Sequence, residues 1–164
     1  MPGDEESVLS QHGDEEAFEI GEASVLVVDD NEQNLELLGA YLEDLGCPIR
    51  LARDGEEALR EVDADQPDLI LLDVMMPRMS GFQACQRLKS APGTRDIPVI
   101  MVTALSEVGD VERAVECGAD DFLTKPVNKL ELLTRVRSLI RVRRLRKQLD
   151  RTLEEMKRLR EQRD

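Results

Sequence analysis

Three acids stand at the ends of two apolar runs. Val25-Leu26-Val27-Val28 stops on Asp29 and Asp30, and Leu69-Ile70-Leu71-Leu72 stops on Asp73, with the loop Val74–Gly81 following at once. A buried strand that ends on a carboxylate carries charge to the carboxyl edge of a sheet, where the chemistry of open α/β sheets sits. Carboxylates gathered there need a cation or a proton to share. Two adjacent acids and a third on the next strand suit a hard divalent cation such as Mg2+, which takes oxygen ligands and keeps several waters. With its charge in place, one carboxylate can act as a nucleophile towards a phosphoryl group and carry a covalent acyl phosphate. Two further strand ends supply complementary groups. Val99-Ile100-Met101-Val102 stops on Thr103, a hydroxyl donor, and Phe122-Leu123-Thr124 stops on Lys125, a cation. Pro126 follows, and a cis Lys125–Pro126 bond would aim the lysine inward. For Asp29 and Asp30 a second reading stays open, as a helix N-cap ahead of Asn31 and Glu32.

These side chains meet only if the elements that carry them do. Strand patterns near Val25–Asp29, Pro48–Ala52, Leu69–Asp73, Val99–Val102 and Phe122–Thr124 alternate with helical patterns at about 31–45, 55–64, 81–90 and 107–117. In the first helix Leu35, Leu38, Tyr41, Leu42 and Leu45 recur at steps of three and four, and Gly46 closes it. Helices between strands imply parallel pairing and a doubly wound α/β sandwich. Asp29 and Asp73 can meet only on neighbouring strands, which predicts a five-stranded, flavodoxin-like sheet of order 2-1-3-4-5.

Charge divides the chain. Residues 1–22 hold eight acids and no Lys or Arg, and they read as a disordered acidic leader that contains His12, the one histidine. Residues 23–127 hold 21 acids against nine bases, while 128–164 hold 13 bases against six acids. The acidic body disfavours nonspecific nucleic-acid binding. Cys47, Cys85 and Cys117 have no CxxC spacing and read as reduced, buried thiols of a cytoplasmic protein. No apolar stretch reaches the roughly 18 residues that span a bilayer.

A final helix is predicted from near Asn128, with Leu130, Leu133, Val136, Leu139 and Ile140 available to cover the sheet. Beyond a globular domain at 23–140, residues 141–164 continue as a helical extension. Val142, Leu149 and Met156 fall at a, and Leu145, Thr152 and Leu159 at d, of a coiled-coil repeat. In a parallel pair Glu155 at g faces Arg160 at e of the second copy. Arg135–Lys147 holds seven bases in 13 positions. No aromatic residue interleaves them, which leaves a solvated face or a dimer surface ahead of direct nucleic-acid contact. The helix reaches Asp164 without a stop signal, which raises the expectation of a missing or separate effector domain.

Taken together, Asp29-Asp30, Asp73 through Pro77 to Gly81, Thr103-Ala104 and Lys125-Pro126 resemble the receiver domain of two-component response regulators, over about residues 24–140. The resemblance implies that Asp29, Asp30, Asp73 and the Met75 carbonyl hold Mg2+ and that Asp73 accepts a phosphoryl group from a histidine kinase or phosphotransfer protein. It also implies that Thr103 and Lys125 bind the phosphoryl oxygens, while Phe122 and Thr103 act as the switch. Ser80 stands where the family often has Asp. The phrases Leu71-Leu72-Asp73-Val74-Met75-Met76-Pro77, Thr94–Pro98 and Arg135–Leu139 most resemble receivers that precede diguanylate cyclase outputs, although no Gly-Gly pair is present.

The expectation is therefore a phosphoacceptor, not a turnover enzyme, that signals through altered dimerisation and its last helix. The alternative is a phosphorylation-independent interaction module on the same fold. An Asp-nucleophile phosphatase would need a second acid two residues after Asp73, where Met75 stands. Met75 and Leu105 should border the path of an attacking water and, being apolar, prolong the phosphorylated state.

Overall fold

The computed structural model describes residues 20–104 and 108–163. Five strands, β1 (Val25–Val28), β2 (Ile49–Ala52), β3 (Leu69–Asp73), β4 (Val99–Thr103) and β5 (Asp121–Thr124), form one all-parallel sheet in the order β2-β1-β3-β4-β5. The strands β1, β3 and β4 are buried along their whole length, which is why they read as unbroken apolar runs rather than alternating ones. The helices are α1 (Glu32–Leu42, continued by a 3-10 turn at Glu43–Leu45), α2 (Gly55–Ala64), α3 (Gly81–Ser90), α4 (Val108–Glu116) and α5 (Lys129–Glu161). This is the flavodoxin-like order: α1, α3 and α4 each join neighbouring strands, α2 carries the chain from β2 past β1 to β3, and α5 follows the last strand.

Alternation along the strands divides the core in two. Leu26, Val28, Ile70, Leu72, Val99 and Met101 point to the side covered by α2, α3 and α4. Val25, Val27, Leu69, Leu71, Ile100, Val102 and Leu123 point to the side covered by α1 and α5. The period of two in a strand produces this division, and each face needs its own helical stripe to bury it. On α1 that stripe is Leu35, Leu38 and Leu42, with Tyr41 half-buried beside it. Gly46 closes the turn at φ 69°, a conformation that strains any side chain with a Cβ.

Two details differ from the expected pattern. On α5 the sheet-facing stripe is Leu132, Val136, Ile140 and Arg143, whereas Leu130 is 74% exposed. Positions 132, 136 and 140 repeat every four residues and so share a face, while Leu130 lies two residues, about 200° of helix, from Leu132. Ile20, placed by composition in the leader, is buried against α1 and α5, and its carbonyl accepts the Cys47 thiol at 3.0 Å.

The helix α5 runs unbroken for 33 residues, about 50 Å at 1.5 Å per residue. Asn128 caps it through the Glu131 N–H at 3.0 Å. Arg143 ties the helix to the body: its guanidinium donates to the Asp96 carbonyl at 3.1 Å and lies 3.6 Å from the Asp68 carboxylate. From Val142 onward, Val142, Leu145, Leu149, Leu153, Met156 and Leu159 are all about half exposed or more.

Candidate functional site

The strand order carries the site residues to one edge. Val28 pairs with Leu72, Asp73 with Val102 and Thr103 with Thr124. Asp29 and Asp30 therefore leave β1 beside Asp73 on β3, Thr103 ends the next strand, and Lys125 follows the last. The Asp29 and Asp73 carboxylates are buried, Thr103 is fully so, and Asp30 is exposed at the mouth. One oxygen from each of the three acids lies within 4.8 Å of the other two.

Lys125 reaches across β4 to this cluster. Its ammonium donates to Asp29 Oδ2 at 3.1 Å and to Asp73 Oδ1 at 3.2 Å. The Lys125 backbone N–H donates to the Thr103 carbonyl at 2.7 Å, and the Lys125–Pro126 bond is cis as expected. Burial works against the ammonium, but the hydrogen bond to Asp29 and the attraction of both carboxylates outweigh it and hold the Lys125 pKa above the ordinary value. For Asp73 the balance goes the other way. Burial, then repulsion by Asp29, raise its pKa from 3.8 to about 6, against the opposing pull of Lys125. An acid whose charge is this poorly compensated is one that an added cation would stabilise.

Local structure keeps the acids available. Asn31, not either aspartate, caps α1, accepting from the Gln33 and Asn34 N–H groups at 2.9 and 3.2 Å. Asp29 accepts the Asn31 N–H at 2.9 Å and keeps its second oxygen for Lys125. After β3 the chain folds back so closely that a Cβ at position 81 would sit 2.1 Å from the Asp73 carbonyl oxygen. Only glycine fits there, and the Gly81 N–H donates to the Val74 carbonyl at 2.9 Å. Ser80 starts α3 through a reciprocal capping box with Gln83, a use of that position independent of the acid cluster.

Two remaining expected residues sit around this group. Phe122, half-buried on β5, packs against the core under α2, α3 and α4. Met75, two residues beyond Asp73, has a side chain that is 62% exposed, and Leu105 lies outside the described residues. The donor set of clustered carboxylates, one of them raised in pKa by burial and by Asp29, fits a hard divalent cation held by Asp29, Asp30 and Asp73.

A buried arginine was not foreseen. The basic run in α5 suggested a solvated face, yet Arg143 is 9% exposed and its pKa is lowered, chiefly by burial. Its position three residues past Ile140, on the Leu132–Val136–Ile140 stripe, was the available signal.

The profile of the response regulator receiver domain family matches residues 25–137. The chain belongs to that family. Response regulator PleD of Caulobacter vibrioides is 51% identical over 119 residues, which cover 73% of this chain and 26% of PleD. The signal receiver domain of a histidine kinase from Syntrophus aciditrophicus is 43% identical with a TM-score of 0.69, over 72% of this chain and 89% of that one. The receiver domain of a Pseudomonas aeruginosa sensor histidine kinase is 31% identical with a TM-score of 0.68, over 73% of this chain and 98% of that one. Its structure is described with a magnesium ion coordinated in the active-site cleft. The chain spans about a quarter of PleD and about half of the transcriptional regulators it also matches.

Proposed function

We propose that the chain receives a phosphoryl group on Asp73 from the phosphohistidine of a kinase or phosphotransfer protein and passes the signal on through its last helix. The observation that carries this is the Lys125 ammonium, shared between Asp29 and Asp73 at 3.1 and 3.2 Å on one sheet edge. A lysine used only to neutralise charge would not need to cross a strand; here it lies where a phosphoryl group on Asp73 would need a cation. Asp73, at the end of β3, is the nucleophile: its oxygen attacks phosphorus in line while the histidine nitrogen leaves. Lys125 and the Thr103 hydroxyl donate to the phosphoryl oxygens, and Asp29 takes up the lysine hydrogen bond that Asp73 shares in the resting state. Asp29, Asp30, Asp73 and the Met75 carbonyl would hold Mg2+, which when bound would supply the positive charge that makes attack by one anion on another feasible. The chain is a phosphoacceptor with slow self-hydrolysis, not a turnover enzyme.

Asp73→Asn should abolish labelling by a radiolabelled phosphodonor in the presence of Mg2+; label retained in that variant would overturn the assignment.

The output is assembly. A stripe of half-exposed aliphatic side chains from Val142 to Leu159 is costly to leave in water, and a second copy in parallel register covers it. Thr152 at a d position keeps that pairing weak, so a bias of a few kcal/mol from the phosphorylated face, with Phe122 turning inward, can shift its population. Light scattering with and without beryllofluoride tests this, with Leu149→Glu as the variant that should stay monomeric. No described helix is long and apolar enough to cross a membrane, and a cytoplasmic setting among kinases fits the reading.

A further inference from the structure

The side of the sheet away from α5 holds a second reactive pair. Cys85 on α3 and Cys117, just past the end of α4, are 32 residues apart in sequence. The Cys85 thiol donates to the Cys117 carbonyl oxygen at 3.4 Å and the Cys117 thiol to the Ala114 carbonyl oxygen at 3.1 Å, so the two residues sit against each other. Both are free and buried in one core cluster, Cys85 fully and Cys117 at 7% exposure. The third thiol, Cys47, belongs to the opposite core and bonds the Ile20 carbonyl.

The pairing follows the helical repeat. Phe82 and Cys85 are three apart on α3, while Arg113 and Cys117 are four apart at the end of α4, so each pair lies on one face. Those faces meet twice: the Arg113 guanidinium sits 4.5 Å over the Phe82 ring, and the Cys85 thiol reaches the Cys117 carbonyl one turn further on. Lys89 ties the same end of α3 to the start of β5, with its ammonium 2.8 Å from Asp120 and its side chain against Gly118. The two cysteines are thus held side by side by a packed interface, the placement from which a bridge can form.

We propose that Cys85 and Cys117 form a dithiol site oxidised by peroxides to a reversible disulfide that fastens α3 to the end of α4. The Cys117 sulfur is the attacking atom: it is the less buried of the two, and the contact with Cys85 and the Ala119 backbone N–H favour its thiolate, whereas the same contact and burial disfavour that of Cys85. The Cys117 thiolate attacks a peroxide oxygen and breaks the O–O bond. The departing oxygen leaves as water or an alcohol, and Cys117 becomes a sulfenic acid. The Cys85 sulfur then attacks the Cys117 sulfur, the S–S bond forms, and the hydroxyl leaves with the Cys85 proton as water. Two thiols lose two electrons, which the peroxide takes up. Resting on the proposed phosphorylation reading, the bridge fastens part of the surface between Thr103 and Lys125, so the oxidised chain responds less to activation.

The test has two independent stages. The full chain is treated with hydrogen peroxide, quenched with N-ethylmaleimide and mapped with trypsin. The expected product joins peptide 79–87 to peptide 114–129, leaves Cys47 as the single alkylated thiol, and reverts with dithiothreitol. Cys85→Ser should leave a sulfenic acid on Cys117 that dimedone captures, and Cys117→Ser should leave Cys85 unreacted. Three alkylated thiols after peroxide, a bridge to Cys47, or overoxidation of wild-type Cys117 in place of the bridge would overturn the site. In the second stage, beryllofluoride is added to oxidised and reduced wild type and to Cys85→Ser after the same treatment. A response weakened severalfold only in the oxidised wild type supports the coupling. A bridged chain that responds like the reduced one refutes the coupling and leaves the site standing. No response in the reduced chain would refute the phosphorylation reading instead.

Discussion

Replacing Asp73 with asparagine should stabilise the metal-free protein at neutral pH, and the structure sets the size of the effect. The Asp73 pKa rises from 3.8 to about 6 on folding, first through burial and then through repulsion by Asp29. At about 1.4 kcal/mol per pKa unit, the folded state prefers the neutral acid by about 3 kcal/mol. Because the folded pKa is raised, this stabilisation is fully present below pH 3.8 and is lost as pH rises through about 6. Asparagine is neutral at every pH and keeps what the carboxylate loses, less the part its NH2 group forfeits beside Lys125. The net gain at pH 7.5 is then about 2 kcal/mol, or roughly 4–8 °C in Tm for a domain of this size. The assay is calorimetry of wild type and Asp73→Asn in EDTA from pH 4 to 8. The gap should be near zero at the acid end, open through the window between pH 4 and 6, and stay constant above it. Mg2+ should narrow the gap by binding the folded wild type. A variant no more stable than wild type at pH 7.5, or a gap that does not change with pH, would refute the claim that charge on Asp73 is held at a cost.

Three further expectations follow from named contacts. Lys125→Ala leaves Asp29 and Asp73 facing each other without their shared cation, and should cost about 2–4 kcal/mol in EDTA, read by denaturant melts. Gly81→Ala forces a Cβ to within 2.1 Å of the Asp73 carbonyl, so the loop must shift; a loss of about 2 kcal/mol or more in the same melts, with a lower phosphorylation rate, is expected. Met75→Asn places a polar group on the approach to Asp73 and should shorten the acyl-phosphate lifetime severalfold, measured by loss of label; an unchanged lifetime would remove the apolar-gate argument.

The sheet and its active edge were legible because buried parallel strands leave a plain mark: β1, β3 and β4 are unbroken apolar runs that stop on Asp29, Asp73 and Thr103. Lys125 was legible through Pro126 and its place at the end of a strand. What stayed hidden depends on rotation and on tertiary contact. Leu130 and Leu132 are equally apolar, and only the phase of α5 against the sheet decides which is buried. Arg143 looked like one more base in a basic run, because nothing local announces that Asp68 and Asp96 lie opposite. That Asn31 rather than Asp29 caps α1 depends on which oxygen points at the helix, a matter of a single turn. The meeting of Cys85 and Cys117 depends on how α3 and α4 lie side by side.

The unbroken course of α5 has a mechanical consequence. Leu132, Val136, Ile140 and Arg143 clamp its first half to the sheet, and the 18 residues that follow to Glu161 add about 27 Å of helix. No proline or glycine interrupts the rod, so it behaves as a lever with its fulcrum at Arg143. A tilt of about 5° at that fulcrum moves the tip by roughly 2 Å, and a roll of the clamped half turns the aliphatic stripe by the same angle along its length. Small adjustments in the body therefore arrive at the far end as displacement and rotation, the two quantities that decide whether two such rods can mesh.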